Sequence, residues 1–525
     1  MDRSLRDIWG RQAVPGKYAG HQGLVYDPRP SSICELLVGT ERWSDRVLLV
    51  QGDRRLTHGG FRDAVAPAAE LLAAQGVGRG SSVMLLAYNS PEFVLALWAC
   101  WWLGAVPVFG NRWWSSAELQ HGLVTTRPVL VITDVPDWSD AAASLPITAL
   151  RSAYAATSRL APYSPIDEDE PALVLFTSGS SGAPKAAVLS QRSVVANQHN
   201  LLHRSKRLPQ DLSDDGPQSV SLLCTPLFHI GGVSNILVAQ ITGSRLVLNA
   251  GKFDAAQVLQ LIEAERVQSW GGVPTMAVRL LEHPDFPTRD LSSLRSFPLG
   301  GAPVTDKLLR LLVEKLPQLG KRGLANTWGM TETGGFCTVA GNADLEQRPG
   351  TVGLPYAVAE LRIDAPDDEG VGEVLLRSPT VMLGYLGLDD DDTVDAEGWL
   401  HTGDLGHLDD DGYLYLDGRS KDIVIRGGEN IACGHVEQAL LCHPDVVEAA
   451  VVGLPHEDLG EELAAIVRCR EGVDEDQLRI FLKGQLAYFE VPSRWWLTSE
   501  PLPTLAGEKI DKKALRATFP ELELT

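Results

Sequence analysis

The chain has 525 residues, which at roughly 150 residues per domain suggests three or four lobes. Apolar residues make up 44% and charged residues 22%, ordinary globular values that exclude a disordered or fibrous chain. Lys and Arg number 46 against 68 Asp and Glu, a net charge of -22 that repels phosphate backbones and anionic lipid, so neither nucleic acid nor a membrane is expected as a partner.

The N-terminal MDRSLRDIWGRQ carries basic residues with no apolar stretch behind them, so no secretory signal is expected. SSVMLLAY (81–88) reads as a buried strand. The uncharged run Phe93–Phe109 is cut by Gly104 and Pro107, which predicts a core helix turning into a short strand rather than a membrane span. Trp98, Trp101 and Trp102 share one face of that helix and read as packing. PALVLFTS (171–178), SVSLLCTPL (219–227), SRLVLN (244–249) and VQSWGGV (267–273) continue as strands with helical sequence between, the pattern of parallel sheets covered by helices. After Val352 short strands spaced by Gly/Asp turns predict a compact β region. A boundary falls at Asp417–Lys421, beyond which about a hundred residues alternate again, enough for a small α+β lobe. The seven cysteines are scattered without a C-x-x-C, so neither a disulfide framework nor a zinc site follows and a cytoplasmic setting is expected.

Several stretches carry chemistry. Residues 173–185, LVLFTSGSSGAPK, place a Thr/Ser/Gly loop and a lysine after a strand, a loop whose backbone N–H groups and hydroxyls suit an anion. Two residues separate Gly179 from Gly182 and Ala follows Lys185, so the spacing is not that of a P-loop NTPase. In order along the chain follow LGGAP (299–303), ANTWGMTETGG (325–335), GWLHTGD (398–404), DGRSKDIVIRGGENI (417–431) and LPTLAGEKIDKKALR (502–516).

Together these motifs resemble the adenylate-forming superfamily of acyl- and aryl-CoA synthetases, peptide-synthetase adenylation domains and luciferases, nearest to the acyl-CoA synthetases. The resemblance covers about residues 50 to 516. It implies an α/β fold with a large N-terminal region of two α/β subdomains plus a β-barrel (1–418), followed by a small mobile α+β C-terminal lobe (422–525) with a hinge near Lys421. It implies ATP, Mg²⁺ and coenzyme A, with a small-molecule carboxylic acid converted to acyl-AMP with loss of pyrophosphate and then to acyl-CoA.

Residue by residue, the resemblance gives the β- and γ-phosphates to Thr177, Ser178, Gly179, Ser180, Ser181, Gly182 and Lys185. Thr331 reaches the α-phosphate and Glu332 holds Mg²⁺, a hard cation suited to oxygen. Trp328 takes the adenine-stacking place usually held by Tyr, within the run Thr327, Gly329 and Met330. Gly301, Ala302 and Pro303 line the other adenine face and Asn326 its edge; Asp404 and Arg419 take the ribose. Lys509 is the adenylation lysine, although Glu508 stands where Gly is usual. For the thiol step the implied residues are Lys421 at the hinge and Gly427 and Gly428 at the pantetheine arm. His435 and Glu490 depart from the usual pattern there. His229, Ile230, Val233, Gly300, Gly334 and Phe336 are implied walls of the acyl pocket. Their glycines and their lack of a basic residue suggest a bulky apolar, fatty-acid-like acid. A monomer or homodimer is expected. Two rival readings are an adenylating enzyme that passes acyl-AMP to a carrier protein or separate partner enzyme, and a non-catalytic nucleotide sensor. The presence of Lys509, Thr331 and Glu332 argues against the sensor.

Overall fold

A computed structural model describes residues 8–522 except 137, 139–142, 157–162, 164, 178–182, 321, 389–391 and 506. The helix Pro91–Trp102 starts on Ser90, whose hydroxyl accepts the N–H of Phe93, with Pro at its first position where no N–H is needed. All twelve of its residues are buried, so it is a core helix, and the chain turns at Gly104 into the strand Val106–Phe109. Trp98 and Trp101 are fully buried, their N–H groups donating to Gln240 Oε1 at 2.7 Å and the Ala172 carbonyl at 2.8 Å. That satisfies the polar edge of each indole inside the core. Among the described residues no helix is long and apolar enough to cross a membrane.

The first sheet has seven strands, in the order Gly384–Tyr385, Lys185–Ser190, Pro171–Thr177, Val106–Phe109, Ser82–Leu86, Leu130–Thr133 and Ser144–Pro146. Its strands from Pro171–Thr177 onward pair in parallel, whereas Pro171–Thr177 and Lys185–Ser190 form an antiparallel hairpin. A second sheet takes Ser269–Trp270, Val220–Leu223, Arg245–Leu248 and Val47–Gln51 in parallel, with Arg54–Thr57 antiparallel at its edge. The alternating β/α sequence is therefore divided between two sheets, which share one large apolar core and bury their other residues in a separate cluster each.

A third sheet joins Phe297–Gly300, Leu324–Met330, Gly335–Gly341 and Leu354–Pro355, and single bridges tie its first strand to the second sheet. The Gly/Asp-punctuated region beyond Val352 forms an antiparallel sheet of Glu360–Asp364, Gly372–Arg377, Leu400–Leu408 and Leu414–Arg419.

The smaller C-terminal domain has its own sheet, built on the long pair Val446–His456 and Gly460–Cys469. The helices Cys433–Leu441 and Glu475–Lys483 pack on one side of it and Lys512–Leu522 on the other. Trp495 and Trp496, adjacent on the strand Arg494–Thr498, point to opposite sides of this sheet and each packs on one of the two apolar clusters.

Candidate active site

The ends of several strands and one loop of the C-terminal domain meet around Lys509. The hairpin Pro171–Thr177/Lys185–Ser190 pairs Thr177 with Lys185, and so brackets the Thr/Ser/Gly loop between them. Ser178, Gly179, Ser180, Ser181 and Gly182 lie outside the described residues. Lys185 Nζ sits 4.5 Å from the centre of the Tyr385 ring. The Tyr385 hydroxyl donates to Glu332 Oε1 at 2.6 Å. Tyr385 thus ties the lysine of one motif to the carboxylate of another, and no motif had marked it.

The turn bearing Thr331 and Glu332 is held from inside. The Thr333 hydroxyl bonds the backbone of Met330 at 2.8 Å, and Gly334 N–H reaches the Thr331 carbonyl at 3.0 Å. The Glu332 carbonyl accepts the Met382 N–H at 2.9 Å. The Glu332 carboxylate is therefore fixed at the turn and half-buried. Among the described residues no group of three or more His, Cys, Asp or Glu could hold a metal by itself. A single fixed carboxylate fits Mg²⁺, which keeps several waters and takes further oxygens from substrate phosphates.

On the strand Leu324–Met330, Trp328 is buried, and its indole N–H donates to Asp404 Oδ2 at 2.7 Å. Asp404 Oδ1 lies 2.7 Å from Arg419 Nε, its direct partner across the strand pair. Trp328, Asp404 and Arg419 therefore form one connected set. Asn326 and Thr327 do not project to the cleft in the same way. The Asn326 amide donates to the Thr351 carbonyl at 3.0 Å and the Thr327 hydroxyl to the Leu299 carbonyl at 3.0 Å, both buried. Gly329 meets Phe336 across a register shift in the strand pair.

Lys509 is the point where the C-terminal domain enters the cleft. Gly301 has φ +76°, a backbone that favours glycine, and Lys509 passes close over it: a Cβ added there would lie 3.2 Å from Lys509 Cε. Ala302 and Pro303 continue the same loop, Pro303 exposed. The lysine is open to solvent along the cleft yet crowded by protein around it. That crowding lowers its pKa, and the Arg419 charge lowers it further, against the opposing pull of Asp404 and Glu332. Lys512, three residues further on, is committed elsewhere: its ammonium lies 2.7 Å from Glu437 and 3.5 Å from Asp422. Lys513 lies exposed on the C-terminal helix.

His229 stands beside this loop. A Cβ added at Gly507 would come within 3.2 Å of its Nε2, which is buried without a hydrogen-bond partner. Burial, with the Lys509 charge, pushes the imidazole pKa down to about 4, so it is neutral at pH 7. An aromatic run leads away from it: His229 to Phe228 at 4.7 Å, Phe228 to Trp113 at 5.3 Å and Trp113 to Tyr88 at 5.6 Å between ring centres. Ile230 and Phe336 are half-buried, whereas Val233 is fully buried in the main core. Gly300 and Gly334 lack side chains for internal reasons. A Cβ at Gly300 would fall 2.3 Å from Thr327 Oγ1, and one at Gly334 2.2 Å from the Thr380 carbonyl. The inference from these glycines to room for a bulky acid therefore loses its basis, because the protein itself fills the space.

Lys421 is exposed in a short turn Ser420–Asp422 after the last strand of the N-terminal region. Gly427 and Gly428, at φ +62° and +96°, form the two-residue turn of the hairpin Ile423–Arg426/Glu429–Ala432. His435 is half-exposed in the first turn of its helix, its Nε2 3.9 Å from Glu490.

Comparison with known proteins identifies the family. The family described as "AMP-binding enzyme" matches residues 38–386, and "AMP-binding enzyme C-terminal domain" matches 435–508. A feruloyl-CoA synthase of Amycolatopsis sp is 33% identical over 482 residues, 89% of this chain and 95% of its own. An indoleacetate–CoA ligase of Aromatoleum aromaticum is 32% identical over 491 residues, 88% of this chain and 93% of its own. The o-succinylbenzoate CoA synthetase of Bacillus subtilis, solved with its acyl-adenylate intermediate, superposes with a TM-score of 0.79 at 27% identity, over 94% of this chain and 98% of that one. The same enzyme with ATP and magnesium ion gives 0.77 at 28% identity, over 93% and 99%.

Proposed function

Because the chain belongs to the AMP-binding enzyme family and is an AMP-forming acid–CoA ligase using ATP, Mg²⁺ and CoA, we propose that its acid is an arylcarboxylic or arylalkanoic acid. The observation that carries this is the aromatic run Tyr88–Trp113–Phe228–His229, which ends beside the Lys509 loop. Aromatic rings at these spacings suit a planar ring better than a flexible alkyl chain, because a planar ring loses little conformational freedom when packed against them. Relatives named for feruloyl, indoleacetate and 2-succinylbenzoate substrates support the class.

In this reading Lys509 supplies a cation where the carboxylate meets the α-phosphate, and the protein crowded around it strengthens that charge over one in open water. Neutral His229 borders the acid without adding a second positive charge. Thr331 offers its hydroxyl to the α-phosphate, while Thr177 and Lys185 stand at the two ends of the phosphate loop. Glu332 would hold Mg²⁺, which supplies charge neutralisation for the phosphates. Asp404 and Arg419 take the ribose, with Trp328 beside the base. Lys421 is the hinge about which the C-terminal domain exchanges Lys509 for the Gly427–Gly428 turn and the thiol.

The test is mass spectrometry of reactions with ATP, Mg²⁺ and CoA over a panel of cinnamic, arylacetic, benzoic and straight-chain fatty acids. Aryl-CoA products at rates well above the fatty acyl-CoA products are expected. Preference for the straight-chain acids would overturn the substrate class, and aryl-AMP accumulating despite CoA would move the acceptor to another thiol such as a carrier protein's.

A further inference from the structure

Glu508 is a non-glycine residue held at φ +61°, immediately before the lysine that enters the cleft. Left-handed backbone at a side-chain-bearing residue costs energy and persists only where its surroundings impose it. The tight turn around Glu508 demands it here, and two contacts from the helix Pro274–Glu282 of the N-terminal region hold that turn in place. The Thr275 hydroxyl donates to the Glu508 carbonyl, and the Arg279 guanidinium is paired with the Glu508 carboxylate.

Thr275 and Arg279 are four residues apart and share one helix face. Three residues on, Glu282 takes Arg468 of the C-terminal domain at 2.9 Å. Around Glu508 the chain closes on itself: Leu505 N–H reaches the Lys509 carbonyl at 2.7 Å, Glu508 N–H the Leu505 carbonyl at 2.9 Å, and Thr504 bridges Ile510. Any displacement of Glu508 therefore displaces Lys509.

We propose that Arg279 and Glu508 form an interdomain clasp that positions Lys509 over Gly301 for the adenylation step and must open before the thiol step. Glu508 and Arg279 are positioning residues, acting through Lys509. The pair also answers an electrostatic difficulty. A carboxylate next to the working lysine would oppose negative charge building on the phosphate, but Arg279 draws that carboxylate onto the helix and balances it. The clasp rests on Lys509 being the adenylation lysine.

The experiment reads the two half-reactions separately, with ATP–pyrophosphate exchange for adenylation and conversion of supplied acyl-AMP plus CoA for the thiol step. Glu508→Gln, Arg279→Gln and the exchanged pair Arg279→Glu/Glu508→Arg are compared with the unaltered enzyme. Each single variant should lower exchange about tenfold or more while leaving the thiol step equal or faster, and the exchanged pair should recover a substantial part of the loss. Glu508→Gly relaxes the backbone and still removes the ion pair, so it should lose exchange as well while folding at least as firmly. Unchanged exchange in the single variants, an equal loss in both half-reactions, or full exchange in Glu508→Gly would overturn the clasp. Lys509→Ala serves as the control: if it keeps exchange, the assignment of Lys509 fails, whatever the clasp variants do.

Discussion

The indole N–H of Trp328 lies 2.7 Å from Oδ2 of Asp404, so the aromatic proposed for the adenine is bonded to the carboxylate proposed for the ribose. A phenol at the same place would carry its polar group on a different vector, and a phenyl ring would carry none. Replacing Trp328 by Phe keeps a stacking face and removes the bond to a buried carboxylate. A hydrogen bond to a charged group is worth roughly 1.5–3 kcal/mol, so the KM for ATP should rise about tenfold or more in pyrophosphate exchange. The KM for the acid should move far less. Equal rises for both substrates would mean that Trp328 shapes the whole cleft rather than setting Asp404.

On the proposed role of Lys509, Lys509→Ala removes one oriented cation from the first step only. Exchange should fall on the order of a hundredfold or more, the scale of losing one preorganised donor. Supplied acyl-AMP should still be converted with CoA at a rate near that of the unaltered enzyme. Near-normal exchange would transfer the role to another group, and Lys512 is a poor substitute because it is held between Glu437 and Asp422.

Tyr385 orients Glu332 through a 2.6 Å hydrogen bond, and its ring carries Lys185. Tyr385→Phe keeps the ring and frees the carboxylate. Removing a group that orients a metal ligand commonly weakens metal binding by about 10–100-fold, and a lower value is expected for a site shared with phosphate. The Mg²⁺ concentration for half-maximal exchange should therefore rise several-fold, with activity returning at high Mg²⁺. If the Mg²⁺ titration is unmoved, the tyrosine serves packing alone.

Three contacts mark where reading the sequence stops: Trp328–Asp404, Tyr385–Glu332 and Arg279–Glu508. The helix Pro91–Trp102 and the strands at 82–86, 106–109, 220–223 and 245–248 follow from apolar runs bounded by Gly, Pro and Ser, all local signals. The motifs around 300, 331, 404 and 509 were equally legible because each is a short contiguous string. Trp328–Asp404, Tyr385–Glu332 and Arg279–Glu508 join residues 76, 53 and 229 positions apart, and no periodicity couples such distances. Glycines misled for a related reason. A glycine that makes space and one that lets two backbones touch are the same letter, and only the 2.2 Å approach of a built Cβ at Gly334 to Thr380 tells them apart.

The last prediction concerns acid stability. His58, His199 and His229 are each pushed down to about 4, chiefly by burial, from an ordinary value of 6.5. His199 is fully buried, stacked on Tyr26 at 3.9 Å and bonded to the Gly10 carbonyl at 2.7 Å. In the unfolded chain these imidazoles take up protons below about pH 6.5, while in the native state they remain neutral until about pH 4. The unfolded state therefore binds more protons across that window, so stability is complete above pH 6.5 and falls as the pH drops toward 4. Each histidine contributes a slope of at most about 1.4 kcal/mol per pH unit. Buried Glu437 and Glu448, whose pKa values are raised by burial, act in the opposite sense, so the histidine term is isolated by substitution. Urea unfolding followed by intrinsic tryptophan fluorescence should show a midpoint that drops between pH 6.5 and 5. His199→Gln, which keeps a donor for the Gly10 carbonyl and cannot titrate, should flatten that drop. A variant whose midpoint falls as steeply as that of the unaltered chain would place the acid sensitivity elsewhere.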